Sequence, residues 1–129
     1  MFHFLRRICA LFVLCCTVNA MAEKPIQHMQ VDAITEAASA QMVFQRDTAK
    51  LQALMPLTDS DLAQVHQISY TLEQSLAYYV RNASDSAKAQ AAIMADQVES
   101  FHLHSESQRL AETDAALSQY LSSAASFKP

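Results

Sequence analysis

A chain of 129 residues with 13 acids against nine Lys and Arg, a formal charge of −4, is repelled by nucleic acid and by anionic membrane surfaces, and neither is an expected partner. It contains no glycine, where the usual frequency near 7% would supply about nine. Glycine provides the positive-φ positions of tight hairpins and phosphate-cradling loops, so hairpin-rich sheets, dinucleotide folds and nucleotide loops are disfavoured together, and the abundance of Ala, Gln and Leu points to helix.

The first element in chain order is a signal peptide over residues 1–22. Arg6 and Arg7 form a basic start with no acid, and the apolar run from Ile8 to Val18 follows. That run is shorter than the roughly 20 apolar residues a membrane span needs, and Ala20-Met21-Ala22 suits signal peptidase. Cleavage is expected after Ala22, with Ala20 as the second choice. An uncleaved anchor would call for a stop-transfer charge cluster, and none follows. Residues Leu5-Arg6-Arg7-Ile8-Cys9 lack the rest of a twin-arginine pattern. A lipid anchor needs a small residue before the acylated cysteine, yet Leu14 precedes Cys15 and Cys15 precedes Cys16. The expected location is therefore the periplasm, without stable membrane insertion after cleavage.

All three cysteines, Cys9, Cys15 and Cys16, lie in the segment to be removed. The mature chain has no disulfide, thiolate metal site or cysteine nucleophile. Roughly 107 residues over 23–129 suffice for a single domain held by core packing. Thirteen acids then face seven Lys and Arg, a formal charge of −6.

The expected fold is all-α: an antiparallel helical bundle of three long helices plus a short C-terminal helix, preceded by a signal-peptide helix. Glu23 to Met29, with Pro25, reads as an extended leader. The first helix is predicted from about Gln30–Asp32 to Met55, where Pro56 stops it. Ile34, Ala37, Gln41, Phe44, Thr48, Leu51 and Met55 recur at steps of three and four with Ala33, Ala40 and Leu54 beside them, a weakly apolar face that leaves room for self-association. Thr58 or Ser60 then caps a second helix running to about Asn82. Its Leu62, Val65, Ser69, Leu72, Leu76 and Tyr79 make the best-defined seam of the chain. Asn82-Ala83-Ser84-Asp85 is a turn and N-cap for a third helix over about Ser86–Gln108, with Ala91, Met94, Val98, Phe101 and Ser105 as the matching seam. So short a connection makes the two helices antiparallel neighbours. A shorter fourth helix is expected over Ala111–Ser123, carrying Ala115, Leu117, Tyr120 and Leu121, with a frayed end from Ala124 to Pro129.

Four histidines remain after cleavage: His28, His66, His102 and His104. On heptad labels His66 and His102 both fall at e, beside the seam, and His104 at g on the opposite flank. In a hairpin pivoting near Ser84 the two e positions face each other at nearly the same height, within about one helical turn or roughly 5 Å. Glu73, Glu99 and Glu106 lie near. Glu99-x-x-His102 occurs once, whereas a di-iron bundle uses that element in duplicate with further glutamates. A mononuclear metal site of His66, His102 and Glu106 is geometrically open. The competing reading has each imidazole packed on apolar neighbours and bonded to a carboxylate or to Tyr70. His102 and His104 point apart on a helix and are no site by themselves. Met29, Met42, Met55 and Met94 are candidate axial haem ligands or plain core filler, and without Cys-x-x-Cys-His haem cannot be attached covalently. Tyr70, Tyr78, Tyr79 and Tyr120 mark a candidate partner face, with Tyr78 or Tyr79 expected to be exposed. No Ser sits in a nucleophile elbow and no acid–base pair stands out, so no enzymatic role is expected.

The stretch from Leu57 to Leu76 and the stretch from Val98 to Glu106 resemble two segments of a family of short exported bacterial helical proteins catalogued as a domain of unknown function. The family's first segment reads Ile-His-x-Leu-Thr-Tyr-Thr-Leu-Glu, matched here by His66-Gln67-Ile68-Ser69-Tyr70-Thr71-Leu72-Glu73. Its second reads Leu-Glu-x-Val-His-Leu-Ala-Ser-Glu, matched by Val98-Glu99-Ser100-Phe101-His102-Leu103-His104-Ser105-Glu106. His66, Tyr70, Glu73, His102 and Glu106 fall on the pattern, and His104 replaces a small residue. The resemblance implies a small exported helical protein and brings no activity. The expected function is a non-catalytic binding or interaction module, with a protein partner or self-association. The alternative is a bundle binding a transition metal or non-covalent haem through His66 and His102.

Overall fold

A computed structural model of the protein describes residues 28–129. The expected signal peptide over 1–22, its helix, and the leader as far as residue 27 lie outside the described residues. Four helices follow: α1 (Ala37–Leu54), α2 (Leu62–Asn82), α3 (Asp85–Glu106) and α4 (Leu110–Ser126), with a single 3-10 turn, Asp59–Asp61, leading into α2. No strand occurs among the described residues.

The chain runs up, down, up, down. Each helix packs most on its neighbour in sequence, and α1 also meets α4, closing the ring. Antiparallel order is written in the cross-helix contacts: on α1 and α2, Asp47 pairs with Thr71 and the Ala40 carbonyl with Ser75. On α1 and α4, Thr48 meets Tyr120 and Phe44 meets Phe127. The α2/α3 link is only Ala83 and Ser84, and the α2 seam of Leu62, Val65, Ser69, Leu72, Leu76 and Tyr79 is buried throughout. So is its α3 counterpart, Ala91, Met94, Val98, Phe101 and Ser105. Each fully buried Leu of this interface contributes about 1.5–3 kcal/mol. No described helix is long and apolar enough to cross a membrane.

The entrance to α2 works as its sequence suggests. The Asp61 carboxylate accepts from the Thr58 backbone N–H at 2.8 Å and from the Thr58 hydroxyl at 2.6 Å. These bonds, the hydroxyl's first, hold Asp61 below its ordinary carboxylate pKa.

Four expectations are corrected. Helix α1 begins at Ala37 rather than near Gln30–Asp32, because the segment before it stays extended and is captured from the side. Arg81 Nη2 donates to the Ile34 carbonyl at 3.2 Å, an acceptor that a helix begun earlier would have spent on its own ladder. The buried stripe of α1 is Ala40, Phe44, Asp47 and Leu51, while Ala37 and Gln41 are exposed. The helix is thus rotated to bring a charged residue inward: Asp47 accepts from Arg46 Nε at 2.7 Å, Arg46 Nη2 at 2.9 Å and the Thr71 hydroxyl at 2.5 Å.

Helix α4, 17 residues against 18 for α1, is longer than expected and does not fray at Ala124. Phe127 is 9% exposed, its ring 5.3 Å from Phe44 and 5.2 Å from Tyr79. Thr113, Ala116, Leu117 and Tyr120 are its buried residues, and Ala115 is exposed. Finally, Tyr79 is buried and Tyr78 half-buried with its ring against that of Tyr79, so neither is an exposed tyrosine.

The lack of glycine leaves one mark. Gln108, past the end of α3, has φ 56°. Its N–H reaches the Ser105 carbonyl at 3.1 Å and the Arg109 N–H reaches His104 at 2.9 Å. That is a Schellman closure with glutamine where glycine is usual.

Candidate metal centre

The site grows from the α2/α3 register. With the helices antiparallel across a two-residue link, His66 near the start of α2 and His102 near the end of α3 arrive at one height. Their ring centroids are 4.7 Å apart, at 75°. Glu106, one turn beyond His102, joins them: one ligand atom from each of His66, His102 and Glu106 lies within 4.8 Å of the others.

His102 is the fixed member, only 5% exposed. Ser69 donates its hydroxyl proton to the His66 carbonyl at 2.7 Å. Its oxygen can therefore only accept from His102 Nδ1, 2.6 Å away. In that tautomer Nε2 carries the lone pair of the ring. Glu73 Oε1 also lies 3.1 Å from Nδ1 without meeting hydrogen-bond geometry there. Burial, helped by the nearby Glu99 charge and opposed by His102, raises the Glu73 pKa.

His66 is half-buried, its Nε2 3.2 Å from the Tyr70 hydroxyl. Burial first, then the proximity of His102 and His28, lowers its pKa, against the pull of Glu106. Neutral imidazole is the form that ligates metal.

His28 has no role legible in the sequence. The structure places it here: Nδ1 is 3.1 Å from the Tyr70 hydroxyl and Nε2 3.8 Å from Glu106 Oε1. Its ring stacks on His102 at 6.3 Å and 8°. No periodic signal could have found it, since the contact is made by an extended segment 42 residues from Tyr70. His104 stands apart, engaged with Arg109. Glu99 is exposed and outside the cluster of three.

The donor set fits a bare divalent ion better than a porphyrin. His66 and His102 already touch, and a haem would have to part them. Among the candidate axial methionines, Met29 and Met42 are exposed and only Met94, buried in the core, matches filler.

Fold and site together define a small four-helix bundle with a histidine–carboxylate cluster at the open end of its central hairpin. The chain belongs to the DUF6746 family, a family of unknown function, whose model matches residues 1–129. The likeness on the second and third helices thus extends over the whole chain. No curated protein and no solved structure matches it.

Proposed function

We propose that this protein is an exported, non-catalytic bundle that binds one divalent first-row transition-metal ion through His66, His102 and Glu106. The observation that carries the reading is the convergence of three ligand atoms within 4.8 Å, on two helices whose register is fixed by a two-residue link. An outer contact supports it. Nδ1 of His102 is held by the Ser69 hydroxyl, an outer hydrogen bond of the kind that orients metal-bound imidazoles. Two imidazoles and a carboxylate suit Zn²⁺, Ni²⁺ or Cu²⁺ rather than Mg²⁺ or Ca²⁺, which prefer all-oxygen shells. Export rests on the basic start and apolar run of residues 1–22.

The test is equilibrium dialysis of the processed chain, carrying no polyhistidine tag, against Zn²⁺, followed by elemental analysis. One ion per chain is expected, and none in a His66→Ala/His102→Ala variant that keeps its helical circular dichroism. Equal metal content in the two proteins, or none in either, rejects the proposal.

A further inference from the structure

The geometry points to His28 as a fourth protein ligand to this ion, so that the extended segment preceding α1 is a strap fastened by the metal. The inference rests on the metal-binding reading above and goes beyond its three residues.

His28 sits on a segment with no regular structure and has a side chain 65% exposed, so burial does not explain its position. Among the described residues its contacts are to the cluster: Tyr70 through Nδ1, Glu106 across from Nε2, and the face of His102. The Nε2–Glu106 separation of 3.8 Å is close to the edge of a tetrahedron with metal–ligand bonds near 2.0–2.1 Å, about 3.3 Å. Four side chains, three imidazoles and one carboxylate, then complete the shell. Four-coordinate sites closed by protein are those of structural zinc, whereas catalytic zinc keeps a position for water or substrate. A closed shell of this kind agrees with a protein that performs no reaction.

The strap has a second fastening. Arg81 holds the Ile34 carbonyl, and Arg81 is eleven positions beyond Tyr70 on α2, about 16 Å along the helix. The six residue steps from His28 to Ile34 span at most about 20 Å when extended, enough for the strap to run along α2 between its two attachments. Ile34 packs on the core while the His28 side chain is largely exposed, so the metal contributes the hold at the His28 end.

The test compares the processed wild-type chain with His28→Ala, His104→Ala and His66→Ala/His102→Ala, using Zn²⁺ in competition with a chelator and hydrogen exchange of residues 29–36 with and without Zn²⁺. His28→Ala is expected to keep one Zn²⁺ but to bind it at least about tenfold more weakly. In the wild type Zn²⁺ slows exchange across the strap, and in His28→Ala it does not. His104→Ala behaves as wild type in both respects. Equal affinity in wild type and His28→Ala, with Zn²⁺ still lost in the double variant, overturns the fourth ligand and leaves the three-residue site standing. A wild type that binds no Zn²⁺ overturns both.

Discussion

Asp47 is a carboxylate in the middle of an apolar stripe, and its partner Arg46 is on the outside. The side chains are 2% and 45% exposed, and that asymmetry predicts which half of the pair is dangerous to remove. In Arg46→Ala the carboxylate stays buried with the Thr71 hydroxyl as its remaining hydrogen-bond donor. Removing one partner of a buried pair costs about 3–5 kcal/mol. The low end, about 3 kcal/mol, applies because Asp47 borders an open groove shared with Lys50, which admits water and a second cation. In Asp47→Ala the guanidinium turns to solvent and Thr71 keeps its bond to the Ile68 carbonyl at 3.1 Å. What is lost is a net charge-assisted hydrogen bond, about 1.5 kcal/mol. At a urea slope of about 1.5 kcal/mol per M, the two unfolding midpoints should stand about 1 M apart, Arg46→Ala lower. The double variant should return to within about 0.5 kcal/mol of Asp47→Ala, since no unpaired charge remains. An Asp47→Ala protein as unstable as Arg46→Ala, or more so, would refute the assignment of Asp47 as the buried end.

Gln108→Gly should stabilise the protein. A left-handed L-residue costs about 1–2 kcal/mol and glycine returns about 0.5–1 kcal/mol of that through its freer unfolded chain. The net, about 0.5–1 kcal/mol, should raise the calorimetric midpoint by about 4 °C, and a lower midpoint would contradict the Schellman reading. Phe127→Ala should cost about 2 kcal/mol in urea, since the ring seals Phe44 and Tyr79; no change would mean the C-terminus is loose after all. Ser69→Ala should cost about 1–2 kcal/mol by leaving His102 Nδ1 without its acceptor and should weaken Zn²⁺ binding about tenfold, while unchanged Zn²⁺ affinity would deny Ser69 an orienting role.

The parts of the molecule legible in its sequence are those governed by local period. The α2 and α3 stripes alternate by three and four without a charged intruder, so their buried faces and the meeting of His66 with His102 follow from counting residues back from Ser84. Helix α1 breaks the method because its true stripe contains Asp47, whose burial depends on Arg46 and Thr71 and has no signature in hydropathy. The strap is illegible for a different reason: its place is set by Tyr70, Arg81 and Glu106, far along the chain, and an extended segment carries no period. The length of α4 depends on Phe127 finding Phe44 and Tyr79, again a distant pair. Gln108 shows that a missing residue type limits a fold less than composition suggests, for a glutamine took the conformation usually left to glycine.

The antiparallel order of α1 and α4 also gives the molecule two unlike poles. Phe127 fastens the carboxyl terminus at the level of Tyr79, thirteen residues up α2 from His66, or about 20 Å away. His28 lies at the other pole, five residues past the Glu23 that an Ala22 cut would expose. An affinity handle joined there would hang beside the imidazoles and compete for their ion; one joined after Pro129 would leave them undisturbed.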